Sequence, residues 1–301
     1  MTGLIIALCT GPAPLRAGAE DFVYHASEED AAAELRSAMK ARQSEVTIGL
    51  LREVDQESLQ ALIGDLVELA TEHTGEPEEG DYLKFQYGSY DGAARTTDVG
   101  GSMGVRLTYK FKYYDSANQE EILGAEVRRI IKDLDPEGKS DYEKLKAIHD
   151  VICEKVEYDQ ADGSDSRRTA YDALVNGKAV CQGYSNALYR LLLEAGVDNR
   201  IIYGKATESS GIEVAHTWNI VRLDGKYYYV DITWDDTGGT DDFFVRPRGE
   251  FEESHKAGDE YPDDFFTKVC PVSKEEYRTD PEAICALMTG HAQEFAKLFA
   301  A

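Results

Sequence analysis

Apolar positions along this chain follow two rhythms. In YSNALYRLLLEAG the apolar residues Tyr184, Ala187, Leu188, Leu191, Leu192 and Ala195 recur at the three-and-one spacing of a helix with one face toward a core, and Gly196 is placed to end it. The same rhythm predicts helices over 27–42, where Ser27 can cap, over 56–72 with Leu59, Leu62, Ile63, Leu66 and Leu69, and in NQEEILGAEVRRIIKDL. Another is predicted over 141–159, with Tyr142, Leu145, Ile148, Val151, Ile152 and Val156 on its apolar side, and a short one near 168–175. A period of two, or β-branched composition, predicts strands in EVTIGLL, YLKFQYGSY, VRLTYKFKYY, NRIIYGKA, AHTWNIVRL and KYYYVDITW. YLKFQYGSY and VRLTYKFKYY form a hairpin in this reading, with the turn-rich DGAARTTDVGGSMG as its loop.

The elements fall into two groups on either side of DPEGKS at 135–140. Residues 22–133 read as a smaller α+β domain with no constellation to which chemistry can be assigned. Residues 135–270 place helices first and sheet afterwards, an α+β layout of helices packed on an antiparallel sheet. Residues 271–301 read as a helical extension.

The chain has 301 residues, of which 57 are acidic and 32 basic, for a formal net charge of -25. Such a surface repels nucleic acid and anionic membranes, so polyanion binding is excluded. The acidic pairs Asp235–Asp236, Asp241–Asp242 and Asp263–Asp264 lack the spacing of an EF-hand loop and read as solvated loops. MTGLIIALCTGPAPLRAGAED combines a short apolar run with an AGA cleavage-like site but has no basic region, so residues 1–19 read as a truncated signal peptide and the protein as secreted or cell-surface. Cys9 would leave with that segment. No later stretch is long and apolar enough to span a bilayer. Cys153, Cys181, Cys270 and Cys285 are too sparse for a disulfide framework and include no CxxC, so no zinc or other metal is expected, and no cofactor; one Cys270–Cys285 bridge is an open option.

Two stretches carry candidate chemistry. Cys181 in GKAVCQGYSNAL falls at the start of a helix, beside unpaired N–H groups and the positive end of the helix dipole, where a thiolate is favoured. In AHTWNIVRLDGKYYYVDITWDD, Asp224-Gly225 between two strand-like runs is a hairpin turn. With Leu223 opposite Lys226, Asp231 falls opposite Trp218, which makes His216 and Asp231 diagonal neighbours on one face. That face also carries Ile220, Tyr227 and Tyr229, and the Cys181 helix is expected to pack on it. Nucleophile, base and an acid to orient the base form an activated-thiol arrangement.

GKAVCQGYSNAL, HTWNIV and YYYVDITWDD resemble the core of the transglutaminase-like superfamily, over roughly residues 135–270. The resemblance implies a papain-like fold and thioester chemistry, with Cys181 as nucleophile, His216 as base and Asp231 as orienter. Animal members of the family use a tryptophan upstream of the cysteine at the oxyanion site. Both tryptophans here, Trp218 and Trp234, follow Cys181. The remaining oxyanion or pocket candidates are the Cys181 and Gln182 N–H groups, Tyr158, Trp218 and Trp234, with Trp234 structural or a pocket wall.

The expected activity is cysteine-dependent acyl transfer on protein or peptide amides, with hydrolysis (a peptidase or deamidase) favoured over lysine cross-linking. The rival reading is an extracellular binding or assembly module with a vestigial triad.

Overall fold

A computed structural model describes residues 22–159, 167–262 and 264–278. The expected signal peptide, Cys9, and the Cys285 of the Cys270–Cys285 option lie outside these residues.

The first layer begins with α1 (Glu28–Lys40), β1 (Glu45–Leu51), α2 (Gln56–Ala70) and the single turn α3 (Asp81–Lys84). Then come β2 (Tyr87–Val99) and β3 (Ser102–Tyr113), in a three-stranded antiparallel sheet of order β1-β3-β2. Ser27 caps α1 and Asp55 caps α2 through side-chain oxygens, each such cap contributing about 1 kcal/mol. Leu35 and Met39 of α1 and Leu62, Ile63 and Leu66 of α2 meet Ile48, Leu107 and Tyr109 of the sheet in one core.

The predicted hairpin is longer than its pattern suggested. The expected loop is itself strand, paired from Asp91 with Lys110 through Val99 with Ser102, and the turn is Gly100-Gly101 at φ 64 and 91. Its polar residues alternate on a ribbon largely open to water, so apolar periodicity could not mark them. Tyr82–Lys84, read as strand, belongs to α3.

The second layer comprises α4 (Ala117–Leu134), α5 (Asp141–Lys155), β4 (Glu157–Tyr158), α6 (Ala170–Leu174), β5 (Lys178–Ala179) and α7 (Cys181–Glu194). A sheet follows, made by β6 (Asn199–Thr207), β7 (Glu213–Leu223) and β8 (Lys226–Val230). After α8 (Ile232–Gly238) and α9 (Arg248–Phe251), β9 (His255–Ala257) completes it in the order β8-β7-β6-β9. Ser116 with Gln119 and Ser140 with Glu143 form capping boxes at α4 and α5.

The helix α4 was grouped by sequence with the first layer, but its Leu123, Val127 and Ile130 pack into the second core with α5 and α7. A stripe shows that a helix has a buried face, not which core receives it. Residues 271–278 run beside β8 rather than as helix: Val272 bridges Tyr227, and the Tyr277 hydroxyl donates to Asp224 at 2.9 Å.

The layers are joined by Asp81, which takes the Arg200 guanidinium in two bonds of 2.7 and 2.8 Å and also the Ile201 N–H at 3.0 Å. Among the described residues no helix is long and apolar enough to cross a membrane.

Candidate active site

The β7–β8 hairpin turns at Asp224-Gly225, both with positive φ (49 and 83), as the sequence pattern required. Pairing runs from Leu223 with Lys226 to Asn219 with Val230, in the expected register. There β8 stops. Asp231 is therefore not a strand residue opposite Trp218: it is the N-cap of α8, and its Oδ1 accepts from Thr233 and Trp234 N–H at 3.1 and 3.2 Å. Its Oδ2 accepts from His216 Nε2 at 2.8 Å.

The Cys181 helix packs on the other face from the one expected. Leu188, Leu191 and Leu192 of α7 share a core with Val221, Leu223, Tyr228 and Val230. The face with Trp218, Ile220, Tyr227 and Tyr229 is covered instead by Phe251 and the 265–272 segment. Asn219 Nδ2 bonds the α7 backbone at Ser185 at 3.2 Å, which holds the helix against its face. Cys181, at the first turn of α7, then reaches His216 at the stretch of β7 that β8 leaves bare.

Cys181 is half-buried, and His216 and Asp231 are buried. Burial pushes the thiol up, but hydrogen bonds with His216 and Thr217 outweigh this and hold it below its ordinary value. Burial also works against the His216 cation, yet Asp231 and Cys181 push its pKa up to about 10. Asp231, despite complete burial, is held at about 2 by its histidines. The electrostatics favour a thiolate beside an imidazolium, with His216 Nε2 given to Asp231.

Among the described residues, no backbone or side-chain acceptor takes the N–H of Cys181 or Gln182. The Gln182 side chain is committed elsewhere, donating to Phe85 carbonyl at 2.8 Å. Tyr158 is close enough to feel the Cys181 charge; burial pushes its phenol up, and the thiolate adds to this. Trp234 stands over His216 and His255 at ring distances of 5.3 and 4.6 Å, forming a wall. Trp218 is buried among His255, Phe251 and His216.

The sequence reading missed two histidines. His255 of β9 also donates from Nε2 to Asp231 Oδ2, at 3.0 Å. His149 of α5 bonds Asp235 of α8 through Nε2 at 3.2 Å, with Cys153 Sγ 3.9 Å from its Nδ1. Asp235 and Asp236 are thus not a solvated pair: Asp235 is buried and also accepts from Phe243 N–H, while Asp236 accepts from the Tyr184 hydroxyl at 2.6 Å. The spacing of His149 and Cys153 was visible as one helix turn, but their acid comes from 86 residues away. Among the described residues, His216, Asp231 and His255 are the group whose donor atoms lie within 4.8 Å of one another, close enough to hold a metal ion.

Residues 128–232 match the family model of the transglutaminase-like superfamily. The matched segment runs from within α4 to the first residue of α8. Kyphoscoliosis peptidase of Mus musculus is 28% identical over 168 residues, which is 52% of this chain and 25% of that protein. The Homo sapiens protein of the same name is 33% identical over 115 residues, 35% of this chain and 17% of that one. The matches thus span a quarter or less of these relatives. A crystal structure described as that of a TGase aligns at 15% identity and a TM-score of 0.33, covering 82% of this chain and 64% of the other.

Proposed function

We propose that the chain is a cysteine acyl-transfer enzyme acting on protein or peptide amides, with hydrolysis as the favoured outcome. The observation that carries this is the half-buried Cys181 thiol held below its ordinary pKa beside a His216 pushed up to about 10. The Cys181 thiolate attacks the amide carbonyl carbon, and the oxyanion forms near the unengaged N–H groups of Cys181 and Gln182. The C–N bond then breaks as His216 gives its proton to the leaving amine, and a thioester remains. Water, losing a proton to His216, attacks the thioester carbonyl, and the carboxylic acid leaves with the thiolate restored. A lysine amine in place of water would give a cross-link.

The test is incubation with protein and cell-wall extracts, followed by mass spectrometry for new amide cleavage, deamidation or isopeptide bonds. Products seen with the wild type and absent with Cys181→Ser support the reading. No difference between the two samples sinks it.

A further inference from the structure

We propose that His255 is a positioning residue of the catalytic unit, which aims Asp231 Oδ2 at His216. The proposal rests on the acyl-transfer reading above.

Asp231 is wholly buried, and each of its oxygens has two donors. Oδ1 belongs to the α8 backbone, through Thr233 and Trp234 N–H. Oδ2 is shared by the Nε2 atoms of His216 and His255, at 2.8 and 3.0 Å. A carboxylate oxygen only accepts, so both histidines present Nε2–H to it. For His216 this leaves Nδ1 as the nitrogen for the thiol. For His255, the Ser254 hydroxyl lies 2.9 Å from Nδ1 and can donate there, which keeps the proton on Nε2. Phe251 stacks on the His255 ring at 4.0 Å and 22°, and Trp218 and Trp234 stand at 5.1 and 4.6 Å, so the ring has little freedom to turn.

The chain makes room for this reach. His255 lies on β9, at the far edge of the sheet from β8, with β6 between it and β7. Paired residues share a face, and His255 pairs with Ala206, two residues from the Gly204 that pairs with His216. Ala206 and Gly204 are therefore the β6 residues under the imidazole, and their small size leaves a trough across the central strand. A Cβ on Gly204 would lie 2.1 Å from the Lys256 carbonyl and 2.8 Å from the Trp218 ring. His255 and Trp218 also line an open cavity of about 670 Å³, whose other walls include residues of β6, α9, the 252–254 turn, β9 and the 258–262 loop.

The experiment compares His255→Phe, which keeps an aromatic ring but no donor, with His255→Gln, which keeps a donor. The readouts are kcat/KM on an amide product-forming substrate found as above, the pH profile of Cys181 alkylation by iodoacetamide, and ¹⁵N-histidine NMR. His255→Phe should lose about ten- to hundred-fold in kcat/KM, the range controlled by a hydrogen bond to a charged group. Its alkylation profile should move to higher pH, because a loosened Asp231 supports the imidazolium less well. His255→Gln should recover most of both losses. In the wild type, NMR should show two histidines protonated at Nε2 and shielded from exchange, and the His216 signal should move in His255→Phe. Should that variant not fold, Ser254→Ala replaces it, with the same shifts in smaller measure.

A profile that superimposes on the wild type or moves to lower pH, or an unmoved His216 signal, overturns the proposal. Failure of the acyl-transfer reading looks different: the wild-type thiol itself would react no faster than free cysteine below pH 8. The NMR arm decides the role of His255 in either case.

Discussion

Val230, the last residue of β8, pairs with Asn219, three positions beyond His216 on β7. The early end of β8 does two things. It frees Asp231 to bend across the face and cap α8, and it leaves the edge of β7 open where Cys181 arrives from the opposite side of the sheet. The catalytic candidates thus meet at an edge, and not on the open face of a hairpin.

Cys181 should react with iodoacetamide well below pH 8. Its thiolate is favoured by His216 and Thr217, and His216 stays protonated until the pH approaches about 10. The rate should therefore show a plateau on the acid side of the ordinary thiol range and change again as His216 loses its proton. A single step at the free-thiol value would show that no ion pair forms.

His216 and Asp231 also make stability depend on pH. The His216 value is raised, so its contribution is full below about 6.5 and is lost as pH rises through about 10. The Asp231 value is depressed, so its contribution is present above about 3.9 and is lost as pH falls through about 2. Chemical denaturation of the wild type and Asp231→Asn between pH 2 and 5 (on the order of the carboxylate range) should converge toward the acid end. Parallel curves would refute the linkage.

Within the proposed triad, Cys181→Ser should abolish turnover and His216→Ala should be nearly as damaging. Asp231→Asn keeps a good helix cap, since asparagine serves as well as aspartate there. With its oxygen kept by the Thr233 and Trp234 N–H groups, the amide sets an NH₂, which is no acceptor, before the two Nε2–H groups. One imidazole must switch tautomer, and a switch at His216 puts a proton on the nitrogen that faces the thiol. The expected loss is on the order of 10³–10⁴ in kcat, the size a wrong tautomer brings, in a variant that still folds but lacks the stability the ionised Asp231 supplies above the acid range. Activity within a factor of a few of wild type would contradict this.

Gly204→Ala should damage both stability and activity. The added methyl meets the Lys256 carbonyl and the Trp218 ring, so β9 must move away from β6, at about 1–3 kcal/mol. His255 moves with β9. Differential scanning calorimetry and the alkylation rate should fall together; a normal rate in a destabilised variant would separate the trough from the site.

Trp234→Ala should cost about 1–2 kcal/mol, less than for a fully buried tryptophan because the ring is only half-buried. Its larger effect should be on kcat/KM, since it bares His216 to water. A variant that melts and turns over like the wild type removes Trp234 from the site wall.

The hairpin register, the helix start at Cys181 and the approach of His216 to Asp231 were legible because each depends on near neighbours in sequence. Asp224-Gly225 alone sets the strands that bring His216 to Asp231. The face on which α7 packs, and the core that receives α4, were not legible, since a stripe does not name its partner. His255 stands in FEESHKAGDE with no periodic signal around it; its meaning comes from pairing with Ala206, 49 residues earlier. His149 and Asp235 are hidden for the same reason, as each looks ordinary until the helices that carry them meet.

The double engagement of Asp231 has a bearing on how this fold would age if selection for catalysis were relaxed. An aspartate that begins a helix would be retained for the sake of folding long after turnover had ceased. Cys181 begins its helix with no side-chain cap bond, so it would be the first of the three to drift. Among descendants of such a chain, the cysteine and not the aspartate is the marker that separates working enzymes from silent ones.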